Sequence, residues 1–541
     1  MNVSVPRFLH WRYAVAAVPL LTIAASLPAA AALSKEETID KIAMHERELQ
    51  AQLECFNVDI YAQEFGPGGD VLDDRHWLGE GCIKSGQLLA TEFVTRATRP
   101  LPQVKPRLNA AGFVNMALPN LGGVDFDRYT WNPRGEEMMG NLRCSVWDLN
   151  PKESTGYGAF VGKVWVSSAD LVIVRLDGGY SSPPGQPSPY LHFISVRVKT
   201  GPQGLWMPSE VFIDDRDLPK PAAGIARLKA RVSLWGFKKQ AETATSSSTL
   251  HPEEQGATAD ADDASRRREP RQVYIEIEQK VLAWMESIGL LAPAGQVEQA
   301  IEGIVAKLQG ASAAAFPRPI KCRILLSTAA EWVVVGDTIL ISRSLVDTPR
   351  NDSTLALILA PAVAIVLQDR PIDAVSAGML QNRADALMKL NFRRSVKEIG
   401  EAEEKALKLL ARWPERDDLV AAAVYQRAAA KSCQRMPALF RPRFGNALSA
   451  CNPASPLHQL DSMAPRNPPA PPAFSLGARL ILAPMTGALL MVAPPPDMDE
   501  TPFQLAPIDL NPRQVAEEFT DAPVFPPPGA GRYVPAQPPL R

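Results

Sequence analysis

Hydrophobic positions along this chain change period more than once, and each change marks a different kind of structure. Over residues 35–53 the apolar side chains recur at helical spacing, which predicts an amphipathic helix. Beyond it the pattern becomes strand-like. The clearest predicted strands are 143–149, 159–166, 171–176, 190–199, 205–213 and 229–237, and turn clusters separate them at 151–158 and at Asp177, Gly178 and Gly179. A helix followed by an antiparallel meander is the fold this order predicts.

A second pattern begins after residue 270. Residues 331–370 read EWVVVGDTILISRSLVDTPRNDSTLALILAPAVAIVLQDR: an apolar strand, a turn at Gly336, a second strand over 338–343, and an apolar helix opening at Asp352. Between the two patterns, residues 240–270 are Ser, Thr, Ala and charge with almost no large apolar side chain, which predicts a linker that cannot bury enough surface to order itself. After about residue 452 prolines crowd together, favouring extended chain. Within that tail the apolar segment 480–492, interrupted by Pro484 and Gly487, is too short to cross a membrane and predicts a hairpin or strand laid on a neighbouring domain, with a partner-binding segment as the alternative. The division is therefore 1–32, 33–239, 240–271, 272–452 and 453–541, and the fold class is α+β: an antiparallel sheet with an N-terminal helix, then a mainly helical α+β domain.

Residues 331–370 resemble the gluzincin metallopeptidases of the CAAX prenyl protease and HtpX type. In that family the helix opening with an acidic-Leu-Ala phrase carries HExxH, and Asp352 to Ala360 is similar to that opening. The resemblance puts Pro361, Ala362, Val363, Ala364 and Ile365 where the signature belongs. HExxH works because residues four apart share a helix face, so two imidazoles reach one metal and the Glu activates its water. Pro361 and Ile365 have no lone pair to give, and Ala362 replaces the base. None of the six histidines, His10, His45, His76, His192, His251 and His458, lies within 272–452. The family's third ligand, a Glu in a phrase like ExEAD, has a shifted counterpart in Glu398 to Glu403. Those glutamates interleave with Lys397, Lys405 and Lys408 as on a solvated helix face. The resemblance implies a degenerate metallopeptidase domain with no metal and no cofactor expected.

The first domain resembles the lipoprotein-carrier fold of the LolA/LolB and RseB-like type. The phrase CSVWDLNPKESTGYGAFVGKVWVSSADLVIVRLDGGY is similar to that family's strand, Pro-Lys turn and hairpin. This implies a half-barrel whose apolar concave face holds an acyl chain or hydrophobic peptide. Trp147, Phe160, Trp165 and Trp206 are the expected lining, with Trp235 a further candidate; the alternative is that they fill an ordinary sheet core.

Composition narrows the setting. Net charge is −2 and no basic stripe appears, so nucleic acid is not an expected partner. Arg7 and Arg12 precede an apolar run over 13–27, and small residues 29–32 offer a cleavage site, which predicts export across the inner membrane to the periplasm, with no membrane span after cleavage. The six cysteines suit an oxidising compartment; they allow fifteen pairings and spacing dictates none, with Cys55 and Cys82, and Cys433 and Cys451, the expected local pairs. Residues 79–86 lack the glycine a phosphate loop needs before Lys84 and read as a turn. His76 reads as an isolated histidine, at the surface or satisfied. The function expected is a non-catalytic envelope protein binding a lipid, lipoprotein, hydrophobic peptide or envelope protein. The alternatives are a zinc peptidase using Glu398 or Glu401 with His458, and a structural scaffold.

Overall fold

The computed structural model describes residues 33–66, 71–84, 87–90, 94–97, 110–118, 126–139, 142–152, 159–181, 192–200, 204–214, 227–239, 270–310, 319–349, 351–368, 391–415, 419–463 and 480–491. The expected signal segment at 1–32, the linker over 240–269 and the chain after 491 lie outside them.

Helix α1 (Lys35–Gln52) starts where the sequence supplies a capping box. The Glu37 amide donates to Ser34 Oγ at 3.1 Å and the Ser34 amide donates to Glu37 Oε2 at 2.9 Å, so two of the helix's orphan donors are satisfied. Then come β1 (Leu53–Phe65), β2 (Val71–Lys84), β3 (Gln87–Ala90) and β4 (Val94–Ala97), helix α2 (Ala110–Ala117), and the meander β5 (Tyr129–Met139), β6 (Leu142–Pro151), β7 (Phe160–Ser167), β8 (Ile173–Tyr180), β9 (Phe193–Lys199), β10 (Trp206–Asp214) and β11 (Arg227–Lys239). They form one 11-stranded sheet in the order β3-β2-β1-β11-β10-β9-β8-β7-β6-β5, with β4 beside β2. The last strand returns beside the first, and the sheet stays open between β3 and β5.

Alternation gives the sheet two faces. On the inner one, Phe56, Val58 and Ile60 of β1, Val232 and Leu234 of β11, and Phe160 and Val164 of β7 form a single core with Ile42 and Leu49 of α1 and Phe113 and Val114 of α2. Two expected turns are strands instead. Residues 79–84 belong to β2, and Asp177, Gly178 and Gly179 belong to β8. The glycines there serve packing: Gly162 pairs with Gly178, and a Cβ on either would come within 2.8 or 3.0 Å of the Phe160 ring.

The second domain comprises α3 (Pro270–Ser287), α4 (Gln296–Gly310), β12 (Lys321–Leu325), β13 (Glu331–Val335), β14 (Thr338–Ser342), α5 (Arg343–Asp347), α6 (Asp352–Val366), α7 (Val396–Leu410), α8 (Leu419–Arg435), α9 (Pro437–Phe440) and β15 (Asn446–Ala447). Its sheet runs β12-β14-β13-β15, with β12 parallel to β14 and the other pairs antiparallel. Gly336, at φ 58°, makes the tight turn between β13 and β14. The tail contributes a hairpin, β16 (Leu480–Leu482) and β17 (Leu489–Met491), whose Leu480, Leu482 and Leu489 enter the second domain's core.

Both local cysteine pairs are bridged. Cys55–Cys82 ties β1 to β2, and Cys433–Cys451 ties the end of α8 to the following 3-10 turn. Cys144 and Cys322 are buried and free. Burial and the nearby Glu137 push the Cys144 thiol up to about 12, so it stays protonated and inert at neutral pH. Replacing Cys433 and Cys451 together by alanine should lower the unfolding free energy by about 3 kcal/mol. Urea titration with and without reductant measures this, and an unmoved midpoint would show that the bridge restrains nothing.

Candidate functional site

Helix α6 carries Pro361, Ala362 and Ile365, the positions singled out by the peptidase resemblance. Asn351 caps it, its Oδ1 accepting from the Thr354 amide at 2.8 Å. The helix passes through Pro361 without ending, and every residue from Ser353 to Val366 is buried. Ala362 and Ile365 are 0% and 3% exposed. A peptidase helix must present one polar stripe to a cleft, whereas a helix apolar on all sides belongs inside a core. Pro361, Ala362 and Ile365 point into packed hydrocarbon and offer no atom for a metal or a water.

Of the glutamates on α7, Glu398 is spent at the helix start, its Oε2 accepting from the Ser395 amide at 3.0 Å. Glu403 departs from the expected solvated face: it is fully buried. Burial pushes its carboxyl up, partly offset by the Ser449 and Ser455 hydroxyls and by His458. His458 itself lies 3.0 Å from both Asp461 Oδ2 and the Asn452 carbonyl. Among the described residues, the one group of three ligand-type side chains close enough to share an ion is Cys55, Glu80 and Cys82, and two of these are joined in a disulfide.

The four aromatic residues expected to line one cavity divide between two faces. Trp147 and Phe160 are in the inner core, Trp147 edge-on to Trp131 at 6.0 Å and Phe160 5.8 Å from Phe193. Trp165 and Trp206 are in a separate cluster on the outer face. Phe160 and Trp165 sit an odd number of residues apart on β7, and alternation sends them to opposite sides. Polar groups tether the outer pair: Trp165 donates to Glu137 at 2.8 Å under the Arg175 guanidinium, and Trp206 donates to Asp170 at 2.9 Å.

On the inner face, beneath α1, lies a cavity of about 10 Å³, lined by Leu49, Leu53, Ile83 and Leu118 with Glu46 and Arg197 at its side. That is about the room one water takes. Arg197 of β9 forms a two-pronged ion pair with Glu46 of α1, both side chains 3% exposed. This pair ties the helix to the sheet at the cavity's edge, and the sequence reading missed it.

The outer face of β1, β2, β10 and β11 is covered by the second domain. Asp59 accepts from the Thr328 amide at 3.1 Å, from the Thr328 hydroxyl, and from His76 Nε2 at 2.8 Å. Arg443 donates to the His76 carbonyl at 3.3 Å, and Glu331 Oε2 holds the turn that carries Arg443 by accepting from the amides of Arg443, Phe444 and Gly445 at 2.8, 2.7 and 2.8 Å. Asp74 accepts from the Ala438 amide at 2.7 Å and from the Tyr61 hydroxyl at 3.2 Å. Nearby, Glu210 accepts from Arg231 Nε at 2.9 Å, from Ser233 Oγ at 2.8 Å and from Arg343 Nη2 at 2.9 Å. Burial pushes Asp59 up, but His76 and Thr328 outweigh it and hold its carboxyl below the usual range. His76, expected at the surface or satisfied, is therefore satisfied, and it is buried where the two domains meet.

No known family model matches this chain, and no curated protein does. Solved structures are similar to its N-terminal part, and nothing among them bears on the second domain. A DUF1329 family protein from Desulfovibrio piger is 12% identical, with a TM-score of 0.24, over 38% of this chain and 92% of its own. A putative outer membrane lipoprotein-sorting protein domain from Vibrio parahaemolyticus is 11% identical, with a TM-score of 0.23, over 37% and 93%. LprF from Mycobacterium bovis is 10% identical, with a TM-score of 0.15, over 38% and 93%. Scores this low carry no weight on their own, and the geometry has to support any functional reading.

The interface charges should make stability fall in acid. Burial pushes the Glu210 carboxyl up, yet Arg231 and Arg343 outweigh it and hold it at about 2, against 4.5 when unpaired. A depressed folded value means the stabilisation is complete above pH 4.5 and is lost as pH falls towards 2, on the order of 3 kcal/mol. Thermal midpoints measured across this range should drop less steeply in Glu210→Gln, which should also be less stable at pH 7. Parallel curves would remove Glu210 from the account.

Proposed function

We propose that this protein is a non-catalytic binding protein of the cell envelope. Its first domain would take a hydrophobic ligand, an acyl chain of a lipid or lipoprotein or an apolar peptide, on the inner face of the sheet. The observation that carries this reading is the apolar seam beneath α1: a helix lies across the inner face, and its own buried ion pair, Glu46 with Arg197, borders a cavity lined by leucine and isoleucine. Taking up an acyl chain would require α1 to lift from the sheet and open that seam. The second domain is read as a pseudopeptidase because Pro361, Ala362 and Ile365 bring neither ligand nor base and sit inside the core. An export signal at the N-terminus and two disulfides agree with the periplasm. Among the described residues no helix is long and apolar enough to cross a membrane.

Native mass spectrometry of the protein purified from an oxidising compartment tests this. The expected spectrum shows a lipid-mass adduct and no zinc. Ile83→Phe, which fills the cavity, should weaken retention of a palmitoyl probe about tenfold while leaving the disulfides intact. One zinc held per chain would overturn the pseudopeptidase reading, and a palmitoyl affinity of Ile83→Phe equal to the parent's would overturn the proposed pocket.

A further inference from the structure

The hairpin of β16 and β17 sits at the seam between the two domains and touches both. Pro484 accepts a hydrogen bond from the Gly236 amide of β11 at 2.6 Å, and Met485 packs on the first domain's core. Gly487, at φ 70°, approaches so closely that a Cβ there would lie 3.0 Å from Trp235 and 3.1 Å from Leu326 of the second domain. Leu480, Leu482 and Leu489 are buried in the second domain's core, and β17 runs along α4.

Yet the hairpin belongs to neither large sheet. It forms a two-stranded sheet of its own, and among the described residues the Gly236 to Pro484 bond is the backbone bond that ties it to the body. A two-stranded ribbon is marginal alone and persists through packing. Prolines at 465, 468, 469, 471 and 472 precede it and prolines at 494, 495 and 496 follow it, positions that bring no backbone donor. The segment is short, apolar, separately tethered and seated in a slot made by two domains. These are the attributes of a ligand carried on its own chain.

We propose that residues 480–491 are a resident plug, and that the slot between Trp235, Gly236, Leu326 and α4 is a second binding site, for an apolar hairpin-forming segment of a partner protein that displaces the plug. The resident hairpin specifies the chemistry: buried leucines at 480 and 482 on one short strand and at 489 on the other, and a turn with a carbonyl placed for the Gly236 amide and a glycine against Trp235. This site is separate from the inner-face pocket, and its fate does not depend on that reading.

The test uses the full chain and a fluorescein-labelled peptide of residues 478–493. In Gly487→Val the added side chain strikes Trp235 and Leu326, and the loosened plug should let the labelled peptide bind at least about tenfold more tightly than it binds the parent. A folded Gly487→Val chain that ignores the peptide would overturn the proposal, as would a parent chain that binds it equally well. To cover a variant that fails to fold, a specific protease site placed within 464–479 of the otherwise unaltered chain is cut after folding. The released tail should then exchange with the labelled peptide, and a cut tail that cannot be exchanged would overturn the proposal too.

Discussion

Asp59 is a buried carboxylate on a sheet strand, and the relation of the two domains depends on what surrounds it. Left alone in that setting its charge would cost several kcal/mol. It is tolerable because Thr328, from the other domain, and His76, from the neighbouring strand, satisfy it together. The same logic repeats at Glu210 with Arg231 and Arg343, and at Asp74 with Ala438. Such groups supply little net attraction, since water would solvate them as well once separated. They supply direction: any other docking of the sheet would bury charges without partners. The attraction comes from area, because Tyr61, Leu78 and Trp235 of the sheet are counted within the second domain's own core.

With the outer face covered, the two candidate chemistries fare differently. Helix α6 is enclosed on all sides, and its Pro361, Ala362 and Ile365 are packed in the core. On the inner face α1 packs across the sheet. Glu46 and Arg197 resemble the interface pairs in burial, but they join a helix to a sheet rather than a domain to a domain, and only α1 must shift to part them.

Much of this was legible in residues, and some of it should have been read more closely. The strands β6 to β11 and the start of α1 follow from alternation and capping, and the two bridged pairs are the local ones among fifteen possible pairings. The division of Phe160 from Trp165 was also written in the sequence, as an odd separation on one strand. Strands β1 and β2 were not picked out, because Asn57, Asp59 and Gln63 look like a solvent-facing row and residues 79–84 look like a turn. Alternation tells polar from apolar positions but cannot tell water from another domain's hydroxyls and guanidinium groups. Glu403 misleads in the same way: its neighbours on α7 are solvated, and only the fold of residues 449–458 over it takes it out of water. The glycines of β8 read as a turn because the Phe160 ring that needs their missing side chains is on another strand.

The claim that the domains form one unit, oriented by buried charges on the sheet's outer face, is tested most directly by differential scanning calorimetry at neutral pH. The account predicts a single transition for the parent chain, and two separated transitions for Asp59→Lys, which places a cation against His76 and Arg443. Two transitions in the parent, or an Asp59→Lys trace that keeps the parent's single peak, would contradict it.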